Sequence, residues 1–165
     1  MSDSTYTGDE GQFNSRARVD NLLMRLLSQV QLFNNFHRND ILELLQVMEK
    51  REFSAGEYIF YEGDPGESMY ILIAGEVQVL KGVLKRQITE IARLTPGESF
   101  GEMSLIENKP RSASVVALNN CTVLKLRRQN LTPIPNVAAK LHFNIAKLLA
   151  TRLRGVNELI LSLKR

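Results

Sequence analysis

Cysteine is almost absent from this 165-residue chain, with Cys121 standing alone. A single thiol closes no internal disulfide, which suits a reducing compartment, and its place in an apolar, strand-like run assigns it to packing. Histidine is nearly as scarce: His37 and His142 lie far apart, and no Cys/His/Asp cluster has metal-ligand spacing. No run approaches 18 consecutive apolar residues, so no membrane span is expected. The opening MSDSTYTGDEGQ is polar and acidic, unlike a secretory signal, so 1–14 is expected to be a disordered tail and the protein cytoplasmic. Acidic residues are also scarce at one end. Residues 121–165 hold nine Lys/Arg and one acid, Glu158, a balance of +8 that leaves −5 for the first 120 residues of a chain at +3. Such a segment suits an acidic partner or forms a solvated helix face.

What remains is ordinary for one globular domain: 44% hydrophobic and 24% charged residues. Val19, Leu22, Leu23, Leu26, Leu27 and Val30 recur at helical spacing. A second helix is expected at about 39–50, with Asp40 and Glu43 as a capping box and Ile41, Leu44, Leu45 and Met48 as its apolar face. From Arg51 the pattern changes to short runs rich in β-branched and aromatic residues: 58–61, 69–73, 77–79, 88–91, 114–117 and 123–126. Gly/Pro-containing turns separate them, which predicts an antiparallel sandwich or jelly-roll barrel. Beyond Arg127, Pro133 and Pro135 break the run, and a helical stripe from Leu141 to Leu163 follows. Leu149, Leu153, Val156, Ile160 and Leu163 alternate steps of four and three, a spacing that serves a homodimer seam or packing on the roll equally well. The expected architecture is mainly β with flanking helices. It comprises N-terminal helices over 15–50, an antiparallel jelly-roll β-barrel over 51–127 and a C-terminal helical pair over 128–165.

Gly-Glu occurs five times, at 56–57, 66–67, 75–76, 97–98 and 101–102. Four of these precede strand-like runs and read as turns. The fifth precedes MSLIENKP, which has room for one or two helical turns, and Arg111-Ser112 follows. A helix start presents free N–H groups, and arginine's planar fork suits a phosphate. A carboxylate beside an anion site makes sense if it accepts hydrogen bonds from a neutral group such as a ribose hydroxyl. The composition therefore points to a sugar phosphate carrying no more than one negative charge.

The stretch FGEMSLIENKPRSASV, with the preceding EFSAGEYIFYEGDPGESMYILIAGEVQVL, resembles the cyclic nucleotide-binding domain family. The likeness runs from about Leu32 to Leu163, with a phosphate-binding cassette at 100–115. It implies that Glu102 accepts the ribose 2′-hydroxyl, that Arg111 pairs with the cyclic phosphate, and that backbone N–H groups near Ser104 and Ala113 bind the same phosphate. Gly101 is expected to let the backbone approach the ribose, beside Met103, and Ser112 to donate to the phosphate or touch the base. Ile73, Val83 and Ile91 are further candidates for the base wall. Asn157, with Arg152 and Arg154 behind it, is the polar candidate on a closing last helix. Ser112 leans the ligand toward cAMP over cGMP. No aromatic residue follows Phe143, so no stacking lid is expected from that helix.

The resemblance implies a regulatory module that acts through an effector protein. It does not imply an enzyme, since a cupin-like catalyst needs clustered histidines and carboxylates. The chain stops at Arg165, with no room for a helix-turn-helix, so a standalone sensor without direct sequence-specific DNA binding is expected. The competing expectation is a ligand-free adaptor in which Glu102 and Arg111 form a structural ion pair.

Overall fold

The computed structural model describes residues 10–82 and 87–164. Residues 1–9 of the expected tail, the base-wall candidate Val83, and the side chains of Val19 and Leu23 lie outside the described residues.

Helix α1 (Glu10–Gln29) starts inside the stretch assigned to the tail. A 3-10 turn (Gln31–Phe33) leads to α2 (Arg38–Val47). The cap of α2 lies three residues earlier than expected: Asp40 is at the third helical position and its Oδ2 accepts the backbone N–H of His37 at 2.7 Å. Among the described residues eight strands follow: β1 (Met48–Phe53), β2 (Tyr58–Phe60), β3 (Ser68–Ala74), β4 (Val77–Lys81), β5 (Thr89–Leu94), β6 (Ser99–Phe100), β7 (Ser114–Ala117) and β8 (Cys121–Arg127). The short helix α3 (Met103–Ile106) sits between β6 and β7.

The strands form two four-stranded sheets, ordered β1-β8-β3-β6 and β2-β7-β4-β5, with every pairing antiparallel. β1 had no sequence signal because MEKREF carries charges where a buried strand would alternate. It is an edge strand, which tolerates them. Side-chain parity divides the core in two. On β3, Tyr70 and Leu72 face the space between the sheets with Phe100, Val115 and Val123. Met69 and Ile71 face the opposite way, onto Leu26, Phe33, Ile41, Leu141 and Ile145 of the helices. Each such fully buried side chain contributes about 1.5–3 kcal/mol.

After β8 comes a 3-10 turn (Arg128–Leu131), then one continuous helix α4 (Pro135–Leu163) in place of the expected pair. Pro135 suits the first turn of a helix. Gly155 costs about 1 kcal/mol relative to alanine, too little to split a helix otherwise rich in strong formers. The first half of α4 is anchored through buried Val137, Leu141 and Ile145. Asn144 Nδ2 also donates to Leu32 O and Asn34 O, each at 2.8 Å. From residue 150 to 164 every residue is exposed. No helix among the described residues is long and apolar enough to cross a membrane.

Candidate functional site

A cavity of about 630 Å³ lies between the second sheet, the 100–115 cassette and the distal half of α4. Gly101, Glu102, Met103, Ser104, Arg111, Ser112 and Ala113 all line it, as does Ile91. Two other sequence candidates do not. Ile73 lies on the opposite face of β3 from Tyr70 and Leu72, packed against the helical core, so its parity turns it away. Asn157 is exposed and off the cavity. Arg152, Val156 and Leu159 share the facing side of α4, and residue 157 lies about 100° around the helix from 156.

Arg111 is 6% exposed. Its Nη1 donates to Ser104 Oγ at 2.7 Å and Gly101 O at 3.3 Å, and its Nη2 to Ser68 Oγ at 3.3 Å. The guanidinium lies 4.1 Å from the centroid of the Phe60 ring, a cation–π contact. Burial pushes the guanidinium below its ordinary value, opposed by Tyr70, Asp64 and Glu102. Among the described residues no carboxylate lies within ion-pair distance of it, and its buried Nε has no hydrogen-bond partner. A buried cation without a counter-charge is costly to a fold unless an anion completes it.

Glu102 is 3% exposed and does not pair with Arg111. Its Oε1 accepts instead from Nη1 of Arg152 on α4, while Oε2 is buried without a partner. Arg152 also donates to Ser99 O at 3.4 Å.

Gly101 is also required by the packing of Arg111. It adopts φ +72°, and a Cβ there would lie 2.7 Å from Arg111 Nη1 and 3.1 Å from Ser68 O. The space it leaves is taken by the guanidinium, and Gly101 also lines the cavity. Gly66 also leaves the class of simple turns: its φ is not positive, and a Cβ there would meet Lys109 O and Ser104 Oγ, each at 2.6 Å. The Ser104 N–H donates to Gly101 O at 3.2 Å and closes the turn.

Sequence reasoning missed Phe60 and Arg128 and gave Arg152 only a supporting place. Arg128 ties the cassette down, with Nε to Ser104 O at 2.8 Å and Nη2 to Gly66 O at 2.7 Å. Neither arginine has a local sequence signature, since their partners lie 20 to 62 residues away.

Residues 50–134 match the model of the cyclic nucleotide-binding domain. The chain belongs to that family. A curated cyclic AMP receptor protein from Thermus thermophilus is 36% identical over 123 residues, 74% of this chain and 57% of that protein. The crystal structure of a cyclic nucleotide-binding domain from Methylobacillus flagellatus superposes with a TM-score of 0.73 at 29% identity, covering 88% of this chain and 83% of that one. The regulatory domain of Toxoplasma gondii PKA, solved with cAMP, gives 0.62 at 31% identity over 79% of this chain and 47% of that one. This chain thus spans little more than half the length of the curated receptor it matches. The family fold is the antiparallel roll with flanking helices described above, and its members are regulatory binding domains.

Proposed function

We propose that this cyclic nucleotide-binding domain is a sensor that takes cAMP in preference to cGMP and signals through α4 to an effector protein. The observation that carries the reading is Arg111, a buried guanidinium with no carboxylate partner among the described residues, beside a cavity of about 630 Å³. Its fork suits the single charge of a cyclic phosphate. Glu102 on the same cavity suits a ribose hydroxyl through its unpartnered Oε2. One ligand carrying both groups answers both residues. A ligand-free adaptor held by a Glu102–Arg111 pair is disfavoured, because Glu102 is paired with Arg152.

The preference for adenine rests on Ser112 at the cavity and on relatives described as a cyclic AMP receptor and as a regulatory domain solved with cAMP. In this reading Val156 and Leu159 of α4 cover the base together with Ile91. Ligand draws the distal half of α4 onto the roll by binding that arrangement better than an open one, the only way a ligand shifts such an equilibrium. The exposed Leu153, Ile160 and Leu163 then form the face offered to the effector or to a second copy of the chain. The lone buried thiol of Cys121 suits a reducing cytoplasm.

Isothermal calorimetry with the two nucleotides tests this. The expected outcome is saturable binding of both, with cAMP tighter by roughly tenfold, or about 1.4 kcal/mol. Heats absent for both would return the chain to the adaptor reading, and a reversed order would overturn the cAMP preference.

A further inference from the structure

Two successive carbonyls of the cassette are held from behind, one of them by a side chain. The Arg111 carbonyl accepts the backbone N–H of Gly63 at 2.9 Å, and the Ser112 carbonyl accepts Lys81 Nζ at 2.6 Å. We propose that Lys81 is a positioning residue for the ligand: by holding the Ser112 carbonyl, it turns the Ala113 N–H of the same peptide plane toward the ligand's phosphate. The inference rests on the reading that the cavity takes a cyclic nucleotide. It adds a residue at the end of β4 that does not itself line the cavity.

Three observations carry it. A trans peptide is planar, with its C=O and N–H pointing opposite ways, and no peptide bond among the described residues is cis. Fixing the Ser112 carbonyl therefore fixes the direction of the Ala113 N–H, and the Gly63 bond does the same for the Ser112 N–H. Neither amide has an acceptor among the described residues, although Ser112 and Ala113 both line the cavity beside Arg111. Successive free N–H groups of this kind form a seat for an anion. The second observation is how Lys81 is itself held. Its Nζ lies 3.1 Å from Glu62 Oε1, while Glu62 Oε2 accepts the Gly82 N–H at 2.8 Å. The Glu62 N–H donates to Ser114 Oγ, also at 2.8 Å. Glu62 thus joins the loop after β2, the end of β4 and the start of β7, and it aims the ammonium at the cassette. Third, folding has little need of this pair. The Lys81 side chain is 53% exposed, and an ion pair that exposed adds little stability. A cation on the carbonyl does, however, polarise the peptide and strengthen its N–H as a donor.

The test compares cAMP with its two phosphorothioate diastereomers, Rp- and Sp-cAMPS, in which sulfur, a weaker acceptor, replaces one or the other exocyclic oxygen. Calorimetry is run on the wild-type chain, on Lys81→Met, which keeps the stem without the charge, and on Lys81→Arg, which keeps a charged donor. The expected result is a roughly three- to tenfold loss of cAMP affinity in Lys81→Met. The diastereomer with sulfur at the Ala113 N–H is expected to lose less than about twofold, and the other as much as cAMP. Lys81→Arg is expected to bind cAMP within about twofold of wild type. A charge acting only at long range, or a role confined to stability, would weaken all three nucleotides equally. Equal losses, an unchanged cAMP affinity in Lys81→Met, or no recovery in Lys81→Arg would overturn the role given to Lys81. A wild-type chain that binds no cyclic nucleotide would instead overturn the reading on which it rests.

Discussion

Arg111 and Gly101 work as one unit. The guanidinium can lie against Phe60 and reach Ser104 only because no Cβ stands at residue 101. Gly101→Ala is therefore expected to cost about 1–2 kcal/mol of stability from the positive φ alone. Its larger effect falls on nucleotide affinity, because the nearest atom to the new methyl is the movable end of Arg111, which yields before the backbone does. Urea denaturation beside calorimetry checks this: a loss of affinity well beyond tenfold with a modest loss of stability is expected. Intact affinity would detach Gly101 from the site. Much of this was legible in the sequence, because Glu102 and Arg111 are nine residues apart within one cassette and local spacing brings them to one cavity. What spacing could not reveal was direction. Spacing gave Gly101 and Glu102 to the ribose, but not the protein groups they meet: the guanidinium of Arg111 against the first and Arg152 on the second.

At the scale of the element, α4 is two half-helices in one. Residues up to Ile145 are fixed by buried apolar side chains, and Lys140 pairs with Asp40 of α2 at 2.7 Å. The Asp40 carboxyl sits below its ordinary value: burial raises it, but the Lys140 and His37 hydrogen bonds outweigh that. Beyond 150 the helix touches the roll through the side that carries Arg152, Val156 and Leu159. Hydrogen exchange should therefore divide α4. Saturating cAMP is expected to raise protection in 150–163 and leave 135–145 unchanged, and unchanged protection in the distal half would contradict a switch built on it. The helical stripe was legible as a period, but not its division of labour. Leu149 packs inward and Val156 lines the cavity, whereas Leu153, Ile160 and Leu163 remain exposed, so the five-residue seam serves three surfaces. Strand parity set a similar limit. Ile73 and Leu72 are adjacent letters on opposite faces, and composition alone does not say which face holds the ligand.

For the whole molecule, the account holds that the fold keeps a buried, uncompensated cation for the sake of a ligand. Such a site sacrifices stability in the free protein and recovers it on binding. The two cores, one between the sheets and one under the helices, supply the stability that allows this. The roll was legible from regular turns and β-branched runs, while the charged edge strand β1 was not, since it does not alternate apolar with polar residues. The most direct measurement of the central claim is Arg111→Met, read for ligand-free stability by urea denaturation and for cAMP affinity by calorimetry. Methionine keeps the stem against Phe60 and removes the charge. The account predicts a free protein within about 1 kcal/mol of wild type, or more stable, and an affinity reduced about a hundredfold or beyond. A variant that loses more than about 3 kcal/mol of stability, or that still binds cAMP as wild type does, would contradict it.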